Sequence, residues 1–151
     1  MIRGFTIIET LIAFAVIAII ATLGITHIGA LNERKALSLE AEKVLSLLGR
    51  ARAETLAGRD GLAYGVHLEA TKAVLFSGTI YSVGATGNEE QTLNSAVKIA
   101  AIALADGGSE VRFKKLTGAT GGSGTVTLAL VSGGSSTAVI TVAATGLASR
   151  N

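Results

Sequence analysis

The pattern of hydrophobic and polar positions divides the chain into an apolar first part and an alternating second part. From Thr10 to Asn32 no residue is formally charged at neutral pH, and His27 is the only ionisable side chain in that stretch. As a helix the stretch would be about 34 Å long, at about 1.5 Å per residue, enough to cross a hydrocarbon core of about 30 Å. The pattern therefore predicts a transmembrane helix with a single acid, Glu9, at its start.

Apolar residues keep a helical spacing beyond Asn32, and most charged residues lie off the apolar stripe. The stripe consists of Leu37, Ala41, Val44, Leu45, Leu48, Ala51 and Leu56. The chain contains no proline, and Gly58 followed by Asp60-Gly61 is a typical helix stop. We therefore predict one continuous helix from about Phe5 to Leu56, whose amphipathic second half packs on a domain.

From Leu62 onward the pattern changes to the period of two that is typical of strands. Short β-rich runs lie at 62–68, 72–77, 79–83, 96–104, 110–116, 124–131 and 137–143. A shift in alternation between Ile99 and Ile102 indicates a bulge. Of the glycine-rich segments, 84–91 is predicted to be an exposed loop and 117–124 a hairpin connection. The predicted fold class is α+β: a long N-terminal helix, transmembrane and then amphipathic, packed on a small antiparallel β-sheet domain.

Composition and chemistry argue against an enzyme. The sequence contains no cysteine, which excludes disulfides, thiolate nucleophiles and Cys-based metal sites. His27 and His67 are isolated, and no group of residues has the spacing of a metal site or of a nucleophile motif. We therefore expect no catalytic residue, no metal site and no cofactor. The net charge of +2 is too small to indicate a nucleic-acid partner by itself.

The leader that precedes the apolar stretch is not organised like a secretory signal peptide. Such a peptide has an apolar core of about 7–15 residues followed by a cleavage site of small residues. Here the apolar stretch is longer, and the one glycine of the leader, Gly4, lies in front of it. Cleavage between Gly4 and Phe5 would therefore leave the apolar helix on the mature chain.

The segment Gly4-Phe5-Thr6-Ile7-Ile8-Glu9, followed by the apolar helix, resembles the class III leader of type IV prepilins and type II secretion pseudopilins. The resemblance implies that a prepilin peptidase cuts after Gly4 and methylates the new amino terminus of Phe5. It also implies that Glu9 pairs with the Phe5 amine of a neighbouring subunit during assembly. A buried charge is costly alone and tolerable when it is paired, which gives this acid a physical role.

The resemblance also implies the division of the chain and its location. Residues 1–4 would be the leader peptide, 5–32 the transmembrane half of the helix, 33–58 its amphipathic half, and 62–151 an extracytoplasmic β-rich domain. The protein would cross the bacterial inner membrane once, with its C-terminal domain in the periplasm or the cell exterior, and would enter a fibre after assembly. The implied partners are prepilin peptidase, other pilins or pseudopilins, and the inner membrane before assembly.

The β-rich region carries a second resemblance, to the H-type minor pseudopilins and FimT-like minor pilins. It rests on 113–118, 121–128 and 139–146, and on the second helical half at 47–56. In many members of that group an arginine directly follows the last glycine. In this sequence Leu147 follows Gly146, and the nearest basic residue is Arg150.

Three functions follow as alternatives. The first is a minor pilin or pseudopilin, a structural subunit of a type II secretion pseudopilus or a type IV pilus. The second is a FimT-like minor pilin that binds DNA during uptake through a basic patch, with Arg112, Lys114 and Arg150 as the nucleic-acid contacts. Lys115 is adjacent in sequence but points to the other strand face. The third is a membrane-anchored periplasmic protein that does not polymerise.

Overall fold

The computed structural model describes residues 6–151, except for the side chains of residues 23–30. The predicted cleavage and methylation residues, Gly4 and Phe5, therefore lie outside the described residues. Contacts between residues divide the chain into two compact units, with the boundary between Arg34 and Lys35. Every strand that the structure describes belongs to the second unit.

Helix α1 spans Ile7–Leu56. Thr6 caps its start, because the Glu9 backbone N–H donates to Thr6 Oγ1 at 3.3 Å. This is the bond that an N-cap threonine makes to the third helical residue. After the helix, Gly58 has a φ of 64°, in the left-handed region that glycine adopts without strain. The predicted helix end at Leu56 and the stop at Gly58 match the structure.

The prediction of a transmembrane first half is wrong. Among the residues whose side chains are described, no helical stretch is both long enough and apolar enough to cross a membrane. A span needs about 20 consecutive apolar residues. In the part of the helix at 31–56, Glu33, Arg34 and Lys35 lie near the start. The same finding contradicts the predicted single-pass location in the inner membrane.

The strands form two antiparallel four-stranded sheets. In chain order they are β1 Tyr64–Leu68, β2 Lys72–Ser77, β3 Glu89–Thr92, β4 Val97–Leu104, β5 Glu110–Arg112, β6 Gly124–Leu130, β7 Thr137–Val142 and β8 Ala148–Arg150. The first sheet has the order β3-β2-β1-β5, and the second has the order β4-β6-β7-β8. The strands of the predicted antiparallel domain thus form two sheets, and a helix with antiparallel sheets is compatible with the α+β class.

One cluster of buried residues joins the second half of α1 to both sheets. The helix contributes Leu37, Ala41, Val44, Leu48 and Ala51 at helical spacing, and the sheets contribute Val66, Leu75, Val111, Val126, Leu128 and Ile140, among others. In β6 the buried residues alternate with partly buried ones, as expected for a strand with one face on the core. Burial of these apolar side chains is the main contribution to the stability of the second unit.

The buried side of α1 differs from the predicted apolar stripe, because one apolar residue of the stripe is exposed and two polar residues are buried. Leu56 is 41% exposed, whereas Thr55 is 1% and Glu40 is 3% exposed. Thr55 Oγ1 donates to the Ala51 carbonyl at 2.8 Å and accepts the Tyr64 backbone N–H at 2.9 Å. Because both bonds are made inside the protein, the threonine hydroxyl is buried without the cost of an unpaired polar group.

Several strand predictions also need correction. Segment 79–83 contains no strand, and the loop predicted at 84–91 ends in β3. Segment 117–124 is not a hairpin connection, because it joins β5 of the first sheet to β6 of the second. The predicted bulge is confirmed: the register of β4 against β6 shifts between Ile99 and Ala101.

Candidate functional site

The first described part of α1 exposes apolar side chains on all sides. The large ones, each at least 49% exposed, are Ile7, Ile8, Leu11, Ile12, Phe14, Val16, Ile17, Ile19 and Ile20. Since successive helical residues are about 100° apart, these positions surround the helix axis and do not form one stripe. A helix that is apolar all round is normally buried, and soluble monomers rarely expose an apolar patch of this extent.

Glu9 is the only charged residue in the helical stretch at 7–22, and it is exposed. It occupies the third helical position, where a negative charge interacts favourably with the positive end of the helix dipole. Among the described residues no cation lies within salt-bridge distance of its carboxylate; every described ion pair involves other acids. The acid therefore has a local electrostatic role and still has the capacity to pair with a cation from another molecule.

The three predicted nucleic-acid contacts do not form one patch. Arg150, in β8, reaches back to α1: its Nη1 donates to Ser38 Oγ at 2.7 Å and to Glu42 Oε1 at 3.3 Å. Arg112 belongs to the first sheet and Arg150 to the second. Arg150 is therefore held by hydrogen bonds within the second unit and does not extend the cationic surface at Arg112 and Lys114.

Arg112 and Lys114 do lie together, at a cavity of about 460 Å³ beside the end of β5. We call it the basic cavity, and its wall includes Thr79, Arg112, Phe113, Lys114, Lys115 and Gly121. Arg112 is partly neutralised, because Asp106 lies 3.7 Å and Glu110 3.9 Å from its guanidinium. Lys115 donates to the Gly61 carbonyl. For Lys114, no carboxylate lies within 4.0 Å in the described part of the chain.

A second polar cluster, which the sequence reasoning missed, surrounds His67 on the face of the first sheet that points away from α1. The Tyr81 ring stacks on the imidazole with 4.0 Å between ring centroids and an interplanar angle of 10°. Glu110 Oε1 lies 3.5 Å from Nδ1, and Glu69 Oε1 lies 3.7 Å from Nε2. Lys72 bridges Glu69 and Glu90, and its hydrogen bond to Glu90 raises the pKa of the Lys72 ammonium.

The His67 cluster holds the 78–88 segment against the first sheet. Tyr81 also packs edge-on against Phe76, with 5.6 Å between ring centroids. The two carboxylates lie near different ring nitrogens, which point in different directions, so the three groups do not converge on one ion. In the described ranges no group of three or more His, Asp or Glu side chains could hold a metal ion. The sequence pattern does not reveal this cluster, because it predicts a strand at 79–83, where Tyr81 lies.

The chain matches no family model, no curated protein and no solved structure. The residues themselves therefore carry the functional argument: the apolar helical surface at 7–22 with Glu9, and the basic cavity.

Proposed function

We propose that the chain is a minor pilin or pseudopilin, a structural subunit that enters a fibre of a type II secretion pseudopilus or a type IV pilus through its N-terminal helix. The observation that carries the proposal is the all-round apolar surface of α1 at 7–22, with one acid near its start. Such a surface is stable when other helices cover it. In a fibre, the helices of neighbouring subunits provide that cover.

Glu9 gives this packing a register. A carboxylate that becomes enclosed by apolar helices is strongly unfavourable unless a cation pairs with it. Within the proposal, the cation is the methylated amine of Phe5 on a neighbouring subunit, formed when prepilin peptidase cuts after Gly4. The resemblance of 4–9 to the class III leader supports this assignment, and the exposed Glu9 with no described cation nearby is compatible with it.

The DNA-binding alternative receives less support. Arg150 is engaged by Ser38 and Glu42, and Arg112 has two carboxylates nearby. Binding to the phosphate backbone depends on several free cations that act together. The anchored, non-polymerising alternative depended on the transmembrane helix, and that prediction is contradicted.

The test is co-assembly of Glu9 variants with the other pilins of the same system. Glu9→Gln removes the charge with little change in shape, and Glu33→Gln makes the same change outside the helical stretch at 7–22. Because the chain has no cysteine, a single cysteine at Ile12 allows specific cross-linking to neighbours. Loss of one partner of a buried ion pair costs about 3–5 kcal/mol. Glu9→Gln should therefore be nearly absent from sheared fibres and cross-linked complexes, whereas Glu33→Gln should enter them normally.

Processing is tested separately, by intact-mass analysis after co-expression with a prepilin peptidase. The expected mature chain begins at Phe5 and carries one added methyl group. Replacement of Gly4 by a bulky residue should block the cut. Equal co-assembly of Glu9→Gln and wild type, or a mature chain that begins elsewhere, would contradict the proposed function.

A further inference from the structure

The basic cavity has the size and wall of a ligand site. Its volume of about 460 Å³ falls within the range of roughly 300–1,000 Å³ that is typical of such sites. Carbon atoms make up most of its wall, and the Phe113 side chain that contributes to it is 2% exposed. An occupant would therefore gain free energy mainly by burying an apolar group there.

The charge at this cavity selects an acidic occupant. Among the described residues, three cations, Arg112, Lys114 and Lys115, contribute to the wall and no acidic residue does. Only Arg112 has carboxylates nearby, and at 3.7 and 3.9 Å they lie beyond hydrogen-bond distance. Lys114 is exposed, and no ion pair among the described residues includes it. A carboxylate placed beside Lys114 would complete a charge pair at the edge of an apolar pocket.

The residues next to the cavity wall favour a peptide over a small molecule. Leu116 follows Lys115 directly, is 93% exposed and has a φ of 67°, which is unusual for a residue with a branched side chain. That conformation is strained for a residue with a Cβ atom, and local strain of this kind is concentrated at functional sites. Ile80, which follows Thr79, is 76% exposed. Leu116 and Ile80 each follow a wall residue directly, so an extended segment with its acid at Lys114 has exposed apolar side chains next to the cavity to contact.

Nucleic acid fits the same surface poorly. Single strands bind through bases that stack on exposed aromatic rings as well as through cations. Here the one aromatic ring in the wall, that of Phe113, is buried.

We propose that the basic cavity binds an extended peptide segment of a partner protein, in which an acidic side chain flanked by apolar side chains pairs with Lys114 while an apolar side chain enters the pocket. All the residues involved belong to the second unit. The inference therefore does not depend on the proposed role of Glu9 and α1.

The test uses the full chain in a non-ionic detergent and two fluorescent hexapeptides, one alternating leucine with aspartate and the other alternating leucine with asparagine. Fluorescence anisotropy reports binding of each peptide. The aspartate peptide should bind at least ten times more tightly than the asparagine peptide, and added salt should reduce the difference. Failure of the wild-type chain to prefer the aspartate peptide would overturn the proposal.

Two pairs of variants locate the site. Lys114→Glu reverses the charge at the cavity, and Lys98→Glu makes the same change on β4 of the second sheet. Gly121→Leu fills the cavity, and a side chain is tolerated there because an added Cβ meets no atom within 4 Å. Ser135→Leu adds the same side chain to the exposed segment 131–135. Lys114→Glu and Gly121→Leu should each weaken binding at least tenfold, whereas the two control variants should bind like wild type.

A labelled single-stranded oligonucleotide of equal charge forms the last arm. Tighter binding of the oligonucleotide than of the aspartate peptide, lost in Lys114→Glu, would replace the peptide by nucleic acid and overturn the proposal. Equal effects of Lys114→Glu and Lys98→Glu on the peptide would also overturn it, because binding would then depend on net charge alone. Loss of fibre assembly in Glu9→Gln with normal peptide binding would leave the cavity assignment intact.

Discussion

Arg50 on helix α1 holds Glu89 at the start of β3 with two parallel hydrogen bonds. Nη1 donates to Oε2 at 2.6 Å and Nη2 donates to Oε1 at 2.7 Å, while Nε donates to Glu54 at 2.8 Å. The bidentate geometry is the strongest form of an arginine–carboxylate pair. The pair connects β3, the edge strand of the first sheet, to the helix. Glu89 lies in the segment 84–91, for which the sequence predicts only an exposed loop.

This pair should make the stability of the second unit depend on pH. The hydrogen bonds from Arg50 hold the pKa of Glu89 below its ordinary value of 4.5. A carboxyl with a lowered folded-state pKa stabilises the fold above its unfolded-state pKa, and that contribution disappears as the pH falls through the folded-state value. Because the Arg50 and Glu89 side chains are 43% and 50% exposed, we expect only about 1 kcal/mol.

A double-mutant cycle of Arg50→Met and Glu89→Gln measures this coupling in the full chain. Chemical unfolding should give a coupling free energy of about 1 kcal/mol at neutral pH and a smaller one at pH 2, because the contribution is lost as the pH falls through the folded-state pKa of Glu89. High salt should reduce the coupling at neutral pH. A coupling that is unchanged between the two pH values would mean that the charge of Glu89 contributes nothing.

The elements with a strong local signal were predictable from the sequence. The end of α1 at Leu56 follows from the glycine stop, and the bulge in β4 follows from the change in alternation. Strand β3 was not predictable, because it is mostly polar and has little alternation: it pairs with β2 on one side only. The split into two sheets depends on pairing between strands far apart in sequence, which no local pattern encodes.

The candidate sites show the same difference between local and long-range signals. Glu9 stands out in the sequence because it is a single acid beside a long apolar run. The proximity of Arg112 and Lys114 was also predictable, since they are two residues apart in the β-rich run at 110–116 and alternate residues of a strand share a face. That Arg150 contacts Ser38 and Glu42 could not be foreseen, because the pairing of β8 with β7 determines where that arginine lies.

Gly146 should be far less tolerant of substitution than Gly133, although their backbones are alike. Their φ values are 78° and 79°, so alanine costs about 1–2 kcal/mol of strain at either position. At Gly146 an added Cβ would also collide with the Gly118 carbonyl oxygen and crowd the Phe113 ring, whereas at Gly133 it meets nothing. We expect Gly146→Ala to lower the free energy of unfolding by about 1–3 kcal/mol more than Gly133→Ala, the usual cost of overpacking. Equal losses in thermal unfolding would show that the close approach to Gly118 is not rigid.

The hydroxyl of Thr55 should matter more than its methyl group. Thr55→Val keeps the shape but removes the acceptor of the buried Tyr64 N–H. An unpaired buried donor costs about 1–3 kcal/mol. Thr55→Ser retains the hydroxyl and should lose less, and hydrogen exchange of the Tyr64 amide should accelerate only in the valine variant. Similar stability of Thr55→Val and wild type would contradict this role for the hydroxyl.

Leu48 and Leu45 test how α1 packs on the sheets, because they lie on the same helix at different depths. Leu48 is 1% exposed and belongs to the buried cluster, whereas Leu45 is only partly buried at its margin. Leu48→Asp would place an unpaired charge among apolar side chains and should lower the free energy of unfolding by several kcal/mol, about 4 or more. Leu45→Asp can turn its carboxylate towards solvent, so its loss should be about half as large. Far-UV circular dichroism during urea unfolding measures both, with Leu39→Asp as the control because Leu39 is 62% exposed. Wild-type-like unfolding of Leu48→Asp would mean that this part of the helix does not pack on the sheets in solution.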